Sequence, residues 1–131
     1  MIGILLITHA PLGRAFLEAA THVFRNAPER VEALDVIADQ DPDEVRRLAR
    51  ESISRIDDGS GVLVLTDILG ATPSNCTLQL CVPGKVEVIA GVSMPMLLRA
   101  ISYRQNSLES AAEMALAGGQ KGVCRVEHQA S

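Results

Sequence analysis

MIGILLITHAPLG, residues 1–13, carries an almost unbroken apolar run from Ile2 to Ile7 straight into Thr8, His9 and Pro11. A short run without polar alternation suits a strand buried on both faces, as in the middle of a parallel sheet. Residues 61–66, GVLVLT, repeat that signal more strongly than any other stretch of the chain.

Helix and strand patterns alternate around these two runs. Leu12, Phe16, Ala19, Ala20 and Val23 recur at helical spacing, and after a turn at Asn26 to Pro28 the segment Val31 to Ile37 reads as a second strand. Asp41-Pro42 starts a helix, with Asp41 as N-cap and Pro42 in the first turn, and Val45, Leu48, Ala49, Ile53 and Ile56 form its apolar stripe. A turn with Gly70 and Pro73 leads into a short helix ending near Val82, and Lys85 to Ala90 is a fourth strand. A helix follows through about Tyr103. Ser107 caps one more, with Leu108, Ala111, Ala112, Ala115 and Leu116 on its buried side and Gly118-Gly119 as its stop. Gly122 to Glu127, of mixed polarity, reads as a last strand at a sheet edge. The pattern predicts one α/β domain over residues 1–131, a three-layer, doubly wound, mostly parallel sheet with helices on both faces.

Composition narrows the function. A net charge of −4 lacks the basic footprint of nucleic-acid binding, and 2% aromatic residues with no Trp leave no stacking platform for single strands. No segment has the basic flank and length of a signal peptide or the length of a transmembrane helix, so a cytoplasmic protein without direct membrane insertion is expected. The three cysteines, Cys76, Cys81 and Cys124, are odd in number and not spaced as metal ligands, which fits reduced thiols. No metal or organic cofactor is implied.

In doubly wound sheets, chemistry gathers beyond the carboxyl ends of the strands. The first strand delivers His9 there, and the third delivers Asp67. A carboxylate that accepts a hydrogen bond from one imidazole nitrogen fixes the tautomer and leaves the other nitrogen free to attack. Thr72-Pro73 reads as the cap and first residue of a helix whose free amides suit an anion, and Gly70 allows close backbone approach. The residues themselves stop at a His–Asp pair near an anion-friendly helix end. Each also has a plain reading: a histidine after a strand can be structural, Asp67 an ordinary turn former, Thr72 only a cap.

Three segments in this order, GILLITHAPLG (3–13), GVLVLTDILGATPSN (61–75) and VIAGVSMPMLLRA (88–100), resemble the mannose-class enzyme IIA component of the phosphoenolpyruvate-dependent sugar phosphotransferase system. The resemblance implies a phosphotransferase with a phosphohistidine intermediate. It implies that His9 accepts a phosphoryl group from the carrier protein HPr and passes it to a IIB component, or serves as a phosphorylation switch for a regulatory partner. It implies that Asp67 orients the imidazole and that the turn Gly70, Ala71 and Thr72 holds the phosphoryl group. It also implies a homodimer with an antiparallel C-terminal edge strand exchanged between subunits. Ala71 and Leu69 depart from the family pattern, where a second Gly and an aromatic residue are usual. Two alternatives stand beside this reading: the phosphoryl-donor subunit of dihydroxyacetone kinase, and a non-enzymatic partner-binding regulatory module.

Overall fold

The computed structural model describes residues 1–68 and 77–127. Four strands, β1 (Gly3–His9), β2 (Val31–Val36), β3 (Val62–Thr66) and β4 (Val86–Ala90), form a parallel sheet in the order β2-β1-β3-β4. Among the described residues the helices are α1 (Leu12–Phe24), α2 (Pro42–Ile56), α3 (Met94–Ser102) and α4 (Leu108–Lys121). None of them is long and apolar enough to cross a membrane.

The unbroken apolar runs have a direct cause. Ile4 and Leu6 pack with Leu63, Leu65 and residues of α1, α3 and α4, whereas Leu5 and Ile7 pack with Val62, Val64 and residues of α2. Both faces of β1 and β3 are therefore core, and Ile4, Leu5, Leu6 and Ile7 are all fully buried. Each such side chain contributes about 1.5–3 kcal/mol on burial. The sheet grows from β1 toward β2 on one side and toward β3 on the other, so the crevice between the carboxyl ends of β1 and β3 is the topological switch point.

The helices follow local signals, with two shifts. Asp41 caps α2 by accepting the amide of Asp43, and Ser93 and Ser107 cap α3 and α4 in the same way. On α1 the inward face is Gly13, Phe16, Leu17 and Ala20, leaving Leu12 and Val23 exposed. Gly118 and Gly119 do not stop α4. A Cβ on Gly118 would lie 2.9 Å from the Arg99 Cβ, and one on Gly119 would lie 2.7 Å from the Met96 methyl. Their missing side chains let α4 come close to α3.

The antiparallel C-terminal edge strand expected over Gly122 to Glu127 is not formed. Helix α4 runs to Lys121, residues 123–127 have no strand assignment, and Val123 and Val126 are 84% and 95% exposed. Strand propensity is realised only against a partner and a buried face. Val123 and Val126 are three apart, so on an extended chain they point to opposite sides and make no apolar face. The sheet among the described residues is wholly parallel.

Candidate active site

His9 is the last residue of β1, and Asp67 directly follows β3. Ile7 pairs with Thr66 across the two strands, which brings their carboxyl ends level. The backbone after β3 is tied to the exit of β4: Gly91 N–H donates to the Asp67 carbonyl at 3.1 Å, and Val92 N–H to the Thr66 carbonyl at 3.0 Å. Asp67 is thus held from its far side while its carboxylate reaches back to β1.

One carboxylate oxygen of Asp67 accepts from both the Nδ1 and the backbone N–H of His9, at 2.8 and 3.1 Å. The other accepts the Ile68 N–H at 3.0 Å. An ionised carboxylate only accepts, so Nδ1 carries the proton and the Nε2 lone pair is free. The His9 side chain is 46% exposed and that of Asp67 only 9%. Burial pushes the Asp67 carboxyl up. The hydrogen bonds from the His9 ring, the His9 amide and the Ile68 amide, with the charge interaction of the ring, outweigh that and hold it below its ordinary value. The result is an anionic anchor beside a half-exposed imidazole whose Nε2 is left unprotonated.

A second carboxylate lies on the other side of β1. Asp35, opposite Thr8 in the β1–β2 register, accepts the Gly13 N–H at 2.8 Å and the Arg14 N–H at 3.4 Å. These belong to the second and third residues of α1, the amides that an N-cap side chain normally takes. The residue at the cap position, Pro11, makes no side-chain cap bond. Asp35 therefore caps α1 from a neighbouring strand, a placement favourable by about 0.3–1 kcal/mol at a helix start and up to ~2 when partly buried.

A groove of about 590 Å³ opens beside His9, bounded by Ala10, Val36, Ile37, Asp39 and Pro42. Ile37, which lines this groove with His9, is 62% exposed, and Leu12 at the start of α1 and Ile68 after Asp67 are 43% and 59% exposed. Among the described residues no three His, Cys, Asp or Glu side chains gather as a metal site.

The two residues expected to carry the chemistry, His9 and Asp67, come together as the sequence suggested. Gly70, Ala71 and Thr72 lie outside the described residues, as does Pro73. Sequence reasoning missed Asp35 and the role of Gly13. The available signals were an acid near the carboxyl end of β2 and a helix start, Pro11-Leu12-Gly13, with no capping residue of its own.

A sequence profile described as PTS system fructose IIA component matches residues 3–116. The chain belongs to this phosphotransferase-system IIA family. The IIA chain is 27% identical over 125 residues to the mannose-specific EIIAB component of Escherichia coli K12, covering 93% of its own length and 38% of that protein. It thus spans well under half of the EIIAB relatives it matches. It is 30% identical over 98 residues to the sorbose-specific EIIA component of Lacticaseibacillus casei, covering 72% of this chain and 68% of that one. In fold it is similar to the mannose/sorbose specific IIA subunit from Enterococcus faecalis, with a TM-score of 0.87 at 17% identity, covering 99% of this chain and 98% of that one. The phosphotransferase system component EIIA of Streptococcus agalactiae gives a TM-score of 0.84 at 24% identity, with 95% and 97% coverage.

Proposed function

We propose that this IIA chain is a cytoplasmic phosphocarrier whose His9 Nε2 accepts a phosphoryl group from the phosphohistidine of HPr and passes it to a IIB component or a regulatory partner. The observation that carries this reading is the Nδ1–Asp67 bond of 2.8 Å at the switch point, made by a side chain that is 46% exposed. In the first step the Nε2 lone pair forms the new N–P bond while the bond from phosphorus to the donor imidazole breaks, and that electron pair returns to the donor ring. The ring of His9 gains positive charge as it attacks, and Asp67 lies where that charge is best stabilised. Positioning and electrostatics supply the catalysis; no step needs a metal or an organic cofactor.

Gly70, Ala71 and Thr72 are proposed to hold the phosphoryl oxygens, through backbone amides and the threonine hydroxyl. Exposed apolar side chains on the segments that carry the site, Leu12, Ile37 and Ile68, suit docking of a protein donor better than a free small molecule. The likeness to mannose- and sorbose-specific components favours this reading over a dihydroxyacetone kinase subunit. Residues 1–131 acting as one homodimeric domain belong to the same proposal, and light scattering in solution tests the dimer.

The test is incubation of the protein with labelled phosphoenolpyruvate, enzyme I and HPr. The wild-type chain takes up label and loses it to an added IIB component or regulatory partner, whereas His9→Ala takes up none. Labelling of His9→Ala at the wild-type level refutes the assignment.

A further inference from the structure

We infer that Asp35 is a positioning residue for the phosphoryl-accepting histidine, holding the loop after β1 through the start of α1. The inference rests on the phosphocarrier reading of His9 but uses a different part of the structure. His9 occupies a four-residue link, residues 9–12, between Thr8, the last fully buried residue of β1, and Gly13, the first buried residue of α1. Asp35 grips both ends of that link. Its Oδ1 accepts the Gly13 N–H at 2.8 Å and the Thr8 hydroxyl at 3.5 Å, and its Oδ2 accepts the Arg14 N–H at 3.4 Å. The middle is pinned to the same strand, since the Ala10 N–H donates to the Val36 carbonyl at 2.9 Å.

The fit leaves no slack. A Cβ on Gly13 would stand 2.7 Å from the Asp35 Oδ1 and 3.0 Å from the Thr8 hydroxyl oxygen, so glycine is what lets the carboxylate close on the helix start. β1 therefore carries His9 between two carboxylates, Asp67 on the β3 side acting on the ring and Asp35 on the β2 side acting on the backbone. The Gly13 and Arg14 amides at the start of α1 are already taken by Asp35. Those two amides are therefore committed to holding the loop that carries His9 rather than to an incoming phosphoryl group.

The experiment compares Asp35→Ala, Asp35→Asn and Ser107→Ala with the wild type. Ser107 caps α4 beside Ser60 and Gly84, which precede β3 and β4 at the opposite end of the sheet, so it controls for loss of a cap as such. Two readouts are taken: the rate of labelling from phospho-HPr, and the nitrogen NMR signals of the His9 ring. Asp35→Ala is expected to label on the order of 10- to 100-fold more slowly with the KM for phospho-HPr within about twofold, as for a misplaced reacting group. Asp35→Asn keeps one acceptor oxygen and recovers part of the rate, while Ser107→Ala labels like the wild type. The ring signals move from one tautomer, protonated at Nδ1, toward an average of the two in Asp35→Ala. Unchanged ring signals in both Asp35 variants, or equal slowing in Ser107→Ala, overturn the inference. If Asp35→Ala does not fold, Asp35→Asn decides alone. If the wild type takes no label, the phosphocarrier reading fails, and the ring signals still decide whether Asp35 positions His9.

Discussion

Replacing Asp67 by Asn separates the two things its carboxylate does for His9. The amide is nearly isosteric, and with its oxygen toward His9 it still accepts from Nδ1 and from the backbone N–H. Only the exposed Ile68 N–H then loses its partner, and water can replace it. The tautomer survives while the negative charge disappears. As Nε2 attacks phosphorus the ring becomes cationic, and two unit charges about 4 Å apart attract by ~1 kcal/mol in water and ~4 kcal/mol at the effective dielectric of a protein surface. With Asp67 nearly buried and His9 half-exposed, the site lies between these limits. Since about 1.4 kcal/mol is tenfold in rate, Asp67→Asn is expected to slow labelling from phospho-HPr by roughly 5- to 10³-fold, with circular dichroism unchanged. Asp67→Ala also releases the ring and is slower still. Rapid-quench labelling over a series of donor concentrations checks both. A wild-type rate in Asp67→Asn with a slow Asp67→Ala would refute the electrostatic argument and leave orientation alone.

Other outcomes follow from the same structure. Because the Asp67 carboxyl is held below its ordinary value, its stabilising contribution is fully present above the unfolded-state value of about 3.9 and is lost as pH falls through the lower folded value. The stability gap between wild type and Asp67→Asn, measured by urea unfolding, is therefore expected at neutral pH and absent in strong acid; a gap that widens on acidification contradicts it. Gly118→Ala puts a Cβ 2.9 Å from the Arg99 Cβ and 3.2 Å from the Pro95 carbonyl, and is expected to destabilise by about 1–3 kcal/mol. Gly119→Ala meets mainly the terminal methyl of the unbranched Met96 side chain, which can turn aside, so the helix propensity gain of up to ~1 kcal/mol makes it neutral or stabilising in the same assay. Ile37→Ser, at a 62% exposed position on the groove beside His9, is expected to raise the KM for phospho-HPr up to about tenfold while unfolding stays within ~0.5 kcal/mol of wild type.

Most of the sheet was legible because its signals are local. Ile4 to Ile7 and Val62 to Leu65 are apolar without alternation because both of their faces are buried, and that is visible residue by residue. The His9–Asp67 pair was legible one step further, through the rule that strand ends of such a sheet converge. What stayed hidden depends on contacts between distant segments. Asp35 caps a helix that begins more than twenty residues earlier, and nothing near Gly13 announces its partner. Gly118-Gly119 has the composition of a helix stop, yet the pair serves a close approach to α3, which only the packing reveals. Gly122 to Glu127 has strand-forming residues without a partner strand or a consistent apolar face among the described residues.

The central claim is that the Nε2 of His9 carries the phosphoryl group, and phosphorus–nitrogen correlation NMR of the protein after phosphorylation by HPr tests it most directly. The expected result is a single phosphorus signal coupled to the His9 Nε2, from a phosphoryl group that is acid-labile and stable in base, with Nδ1 still protonated toward Asp67. Coupling to Nδ1, or an acid-stable phosphoryl group on a serine or threonine, would contradict it.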